Sequence, residues 1–181
     1  MLCRARRLAS GAVLLLIASI LPVFAEPSQV RMLALDTLTS AYAAYRSGRR
    51  TEGRAGVEKA LALDPDLAYA NIVRGEVALQ EQDWPAAQEY FERGLVLLKQ
   101  PDQPLARSTG AKISVSDVEG DARCFLGYAY VKRAQQASQR NRGDEEQRYL
   151  DLANKSLRSG LALSPGTEAK ELCERLLRMF R

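Results

Sequence analysis

The chain has 181 residues, three cysteines, no histidine, and a formal charge of +4 from 26 Lys and Arg against 22 Asp and Glu. This length suits one domain, and the missing imidazole removes the commonest metal ligand and the commonest general base. Setting aside Arg4, Arg6 and Arg7 leaves 23 basic against 22 acidic residues, or +1, with no long basic run, which argues against nucleic acid as a partner.

Those three arginines open a segment with its own plan. Leu8 to Leu21 is apolar, small and uncharged, and Pro22 and Val23-Phe24-Ala25 follow. A basic start, an apolar middle and a small-residue end read as a secretory signal peptide over residues 1–25. The mature chain would begin at Glu26 and be periplasmic or secreted. The alternative is an uncleaved membrane anchor over residues 8–25, since about 18 uncharged residues can just span a bilayer. Cys3 leaves with the leader.

From there the chain reads as helix after helix, with no sustained two-residue alternation. Helices are predicted over 28–47, 51–63, 66–81, 84–98, 117–140, 144–163 and 167–180. Gly48, Asp64-Pro65, Asp83, the stretch Pro101 to Gly110, and Ser164-Pro165-Gly166 separate them. Asp64 and Asp83 are expected N-caps near a first-turn proline. Pro101 to Ser116 reads as a loop. It is either a solvent-exposed excursion or a lid with Ile113 and Val115 tucked in. Ser116-x-x-Glu119 fits a capping box for the next helix. Arg142-Gly143-Asp144 spells an adhesion tripeptide, but a turn with Asp144 capping the following helix is the simpler reading. The last helix should bury Leu172, Leu176 and Met179 on one face. Cys124 and Cys173 are expected to be two buried thiols; a bridge tying the last helix to the rest is the alternative.

Small and aromatic residues return at matched offsets along these helices. Ala68 to Pro101 carries Gly75, Ala78, Asp83-Trp84, Ala87, Phe91 and Gly94. Ala34 to Leu67 carries Ala41, Tyr45, Gly48, Gly53, Val57, Ala60 and Pro65. A third copy is split: Leu126-Gly127-x-x-Tyr130 stands for its first helix, and Ala153, Leu157, Gly160 and Pro165 for its second. About 14 extra residues around Arg133 to Glu146 read as both helices running on to a turn at Asn141-Arg142-Gly143. These residues resemble the tetratricopeptide repeat. The resemblance implies an all-α fold, an α-solenoid of about three helical hairpins plus a C-terminal capping helix. Its repeats would cover about 34–67, 68–101 and 120–167, with a loop at 102–119 and the cap at 167–181, all within one domain over 26–181.

Such arrays commonly hold a peptide or protein partner in a concave groove lined by the first helix of each hairpin. Carried onto this chain, the resemblance gives Leu38, Tyr42 and Tyr45, then Tyr69, Ile72, Glu76 and Gln80, then Phe125, Tyr128 and Lys132. The same side chains could instead pack the inner face of a small array. The basic clamp some relatives use for an acidic chain end is not matched, since Leu38, Tyr42, Val73, Asp121 and Phe125 stand at its positions. No nucleophile–base pair, metal cluster or phosphate loop is evident, so the expectation is a scaffold and not an enzyme, with no cofactor or metal. It would serve assembly or maintenance of a bacterial envelope complex, touching a membrane only through an uncleaved leader. The alternative is a structural subunit that self-associates through the same faces.

Overall fold

A computed structural model describes residues 27–105, 114–163 and 165–180. The expected leader and Ile113 lie outside them. Within them the chain is all-α. Seven helices follow one another: α1 (Pro27–Arg46), α2 (Arg50–Leu63), α3 (Ala68–Gln80), α4 (Trp84–Leu97), α5 (Val115–Gln139), α6 (Gly143–Leu161) and α7 (Thr167–Leu177), with a 3-10 turn at Arg178–Phe180. Each falls on a predicted segment. No helix among the described residues is long and apolar enough to cross a membrane.

The helices pack in neighbouring pairs, α1 with α2, α3 with α4 and α5 with α6; α7 lies against α5 and α6. Three-residue turns join the partners, and all three turns are built alike. A residue in the left-handed region sits at their centre: Gly48 at φ 90°, Gln82 at 60° and Asn141 at 55°. The next amide reaches back five residues, Arg49 to Ala44, Asp83 to Ala78 and Arg142 to Ala137, at 2.9–3.0 Å. This is a Schellman ending, which satisfies the last carbonyls of the first helix while reversing the chain. Gln82 holds this conformation without the conformational freedom of glycine, at a cost of about 1 kcal/mol.

Asp83 is the N-cap of α4, as expected, and its carboxylate accepts the Ala86 amide. Asp64 is not an N-cap. Pro65 forces the residue before it into extended backbone, so Asp64 ends α2. Its carboxylate accepts the Asp66 amide and the Arg31 Nε at 2.7 Å. The start of α3 is completed from a distance by Gln103, whose Oε1 accepts the Ala68 amide at 3.0 Å. The capping box of α5 uses Ser114 and Asp117, two residues ahead of the expected pair. Ser116 instead donates to the Leu163 carbonyl, and Glu119 pairs with Arg123. The loop therefore ends at Ser114, and Val115 is an exposed first helical residue rather than a tucked-in one. Asp144 lies inside the first turn of α6, which starts one residue earlier.

One core runs through the first six helices, with Leu38, Val57, Leu67, Ile72, Val73 and Phe91 almost fully buried. Hairpin partners approach where a small residue faces a large one. A Cβ on Gly75 would stand 2.9 Å from the Phe91 ring, and one on Gly127 would stand 2.5 Å from Leu157 Cγ. A second, smaller core of Leu157, Ala169, Leu176, Cys124 and Cys173 lies beneath α7. There the two cysteines form a disulfide, which corrects the expectation of free thiols. Gly160 lets α6 press against Cys124, and the cysteine Cα atoms stand 5.4 Å apart, well within bridging range. Met179 is exposed rather than buried with Leu176, because α7 gives way to the 3-10 turn at Arg178 and rotates it off that face.

Candidate functional site

The α1, α3 and α5 helices present side chains to a common cavity of about 340 Å³, and the first turn of α7 walls one side. Tyr42, Tyr45 and Arg46 come from α1, Glu76, Leu79 and Gln80 from α3, and Asp121 and Phe125 from α5. Gly166 to Ala169 complete it. The spacing within each helix places these side chains on one face, at i, i+3 or i+4. The α7 wall is pinned to the rest by two contacts. The Gly166 amide donates to Asp121 Oδ1 at 2.7 Å, and Arg46 meets Glu168 at 3.5 Å. The second pair is exposed and adds little stability; its value is positional.

Of the expected groove residues, Tyr42, Tyr45, Glu76, Gln80 and Phe125 line this cavity. Leu38 and Ile72 do not: both are core residues, 0% and 2% exposed. They point between helices, where an aliphatic side chain gains most by burial. Tyr69 is nearly buried, and its hydroxyl lies in the field of Glu76 and Asp121. Tyr128 and Lys132 belong to a different cluster. Trp84 meets Tyr128 edge-on at 5.8 Å, and the Lys132 ammonium lies 5.7 Å above the Trp84 ring and 5.5 Å above that of Tyr128. Cation–π attraction holds that group together. Sequence reasoning missed Arg46, Asp121 as a lining residue, and the whole contribution of α7.

Electrostatically the cavity is crowded with carboxylates. Tyr42 donates its hydroxyl to Glu76 Oε2 at 3.0 Å. The Glu76 carboxyl is pushed up to about 7, chiefly by burial and also by Asp121 and Glu168, against the Tyr42 hydrogen bond and Arg46, which pull it down. Burial likewise raises Asp121, opposed by the Gly166 amide. Burial, then the charge of Glu76, raises Tyr42 well above the ordinary phenol range. Tyr69 rises to about 12 for the same two reasons.

The sign of the Glu76 effect fixes a prediction. The folded chain holds the Glu76 proton up to about pH 7, whereas an ordinary glutamate releases it near 4.5. Between those values the folded state binds more protons than the unfolded one, so stability falls as pH rises through this window. Glu76→Gln removes that penalty. It is expected to stabilise the chain by about 1–2 kcal/mol near pH 8 and by little near pH 4.5. Urea unfolding at both pH values checks this, and an equal gain at each would refute it.

Among the described residues, no group of three or more His, Cys, Asp and Glu stands close enough to hold a metal ion. Comparison with protein-family models, with curated proteins and with solved structures finds no match to this chain.

Proposed function

We propose that this protein is an exported tetratricopeptide scaffold that holds a peptide or protein partner in the groove between α1, α3 and α5, in assembly or maintenance of a bacterial envelope complex. The observation that carries the reading is the convergence of Tyr42, Tyr45, Glu76, Gln80 and Phe125 from three separate helices on one cavity. Tyrosine and phenylalanine give a rigid apolar wall at low entropic cost, and the carboxylates and amide supply polar contacts. Three alike turns and the matched approaches of Gly75 to Phe91 and Gly127 to Leu157 support a repeated hairpin. The buried disulfide suits an oxidising compartment.

The test is site-specific photocrosslinking in the cells that make the protein. A photoreactive residue at Gln80, in the groove, should capture a partner; one at Lys155, exposed on α6, should not. Tyr42→Ala should weaken the Gln80 adduct about tenfold. Equal capture from both positions, or none from Gln80, would sink the groove reading.

A second reading has its own observation. Met32 and Leu33 on α1 are 51% and 55% exposed. Beside them Met32, Leu35, Pro104 and Leu105 line a further cavity of about 570 Å³. Such an edge would suit self-association as a structural subunit. Light scattering across a wide concentration range decides it, and a monomer throughout removes it.

A further inference from the structure

We propose that the guest of this groove presents a basic side chain, a lysine or arginine of a peptide, to the cavity between Glu76, Asp121 and Glu168; the proposal rests on the groove reading above. Three helices each contribute one of these carboxylates, and Arg46 is the one cation among the described lining residues. It already leans on Glu168 at 3.5 Å. With every group ionised, the lining carries two negative charges in excess.

One polar atom of the lining has no partner among the described residues. Glu76 accepts Tyr42 on one oxygen and leaves the other unbonded among the described residues. Glu76 itself lines the cavity. A half-buried carboxylate oxygen without a donor has acceptor capacity to spare. Here an ammonium or guanidinium would meet the carboxylates of Glu76 and Asp121. The rings of Tyr42, Tyr45 and Phe125 suit the alkyl stem that such a side chain lays along apolar surface. The upward push on Glu76 from Asp121 and Glu168 has the sign expected of a site short of one cation.

The competing guest is acidic. A neighbouring cavity of about 260 Å³ shares Tyr45 and Gln80 and is lined by Arg50 and Arg54. Arg54 is already paired with Glu81 at 2.7 Å, which makes that cavity the weaker claimant.

The experiment is selection of a phage-displayed random peptide library on the full chain, followed by binding of synthetic copies of the winners. The expected result is enrichment of Lys or Arg at one position beside an apolar residue. Replacing that residue by norleucine should weaken binding about tenfold. The E76Q/D121N double variant should lose the same factor, with raised salt acting in the same direction. Both replacements keep the hydrogen-bond acceptors for Tyr42 and Gly166, so the fold is retained, and a thermal melt verifies it. Enrichment of acidic or wholly apolar peptides whose binding Tyr42→Ala abolishes overturns this inference and leaves the groove reading standing. Basic peptides that bind the double variant as tightly as the parent also overturn it. A library that enriches nothing counts against both.

Discussion

Removing the Cys124–Cys173 bridge, by reduction or by the C124A/C173A pair, is expected to lower stability by about 3–4 kcal/mol. The cysteines are 49 residues apart in sequence, and opening a loop of that length returns about that much entropy to the unfolded chain. The loss should be concentrated at the cap. The α7 helix rests on a small core of its own, of which the two half-cystines are a large part, and its other described anchors are mostly polar and exposed. Its amides are therefore expected to exchange with solvent faster than those of α3 or α4 once the bridge is cut. Urea unfolding with and without reductant reads the first effect, and hydrogen exchange reads the second. An unchanged midpoint in reductant would show that the bridge contributes nothing. Because the first turn of α7 walls the cavity, reduction should also weaken any ligand held there.

The second large effect is at Phe91. Its side chain is fully buried, its ring stacks on Phe125 with centroids 6.2 Å apart, and it fills the space that Gly75 leaves. Phe91→Ala should cost about 3–5 kcal/mol, from lost transfer energy and from a cavity that two flanking helices cannot close. In a chain of this size that lowers the midpoint of thermal unfolding by roughly 10 °C or more. The fall should be accompanied by weaker groove binding, since Phe125 is both a neighbour of Phe91 and a wall of the cavity. Phe91→Leu, which keeps most of the volume, is expected to lose less than half as much. Equal losses from the two would mean that fit of the ring against Gly75, rather than buried volume, sets the energy.

The helices were legible because their apolar periodicity is bounded by proline, glycine and aspartate. What the sequence could not convey depends on contacts between distant residues. Two of the three turns carry a residue suited to the left-handed region, Gly48 and Asn141; Gln82 carries no such signal and is held there by the packing of α3 on α4. Ser114 and Ser116 both begin a plausible capping box. The choice between them rests on Ser116 reaching Leu163, 47 residues away. Tyr42, Tyr45, Glu76, Gln80 and Phe125 were implied by the repeat resemblance, yet the same resemblance implied Leu38 and Ile72, which are buried in the core instead. The separation of two cysteines along a chain does not set the distance between their Cα atoms, so the bridge could be named only as an option. The α7 wall was hidden for a related reason. Its position depends on how far α5 and α6 overrun the other hairpins, and helix length says nothing about which way the return strand of chain will lean.

That wall has a consequence for the shape of any guest. A groove open at both ends lets a long chain lie across it and slide. Here Gly166 to Ala169 stand across one side, joined to α5 through Asp121 and to α1 through Arg46. The cavity is thereby closer to a socket than to a channel. A socket favours what protrudes (a side chain, a tight bend or a chain end) over the middle of an extended strand. It also sets registry, because a protruding group can seat in one place only. A partner would then be held at a defined point along its length, as a peg is, and not merely gripped somewhere along its course.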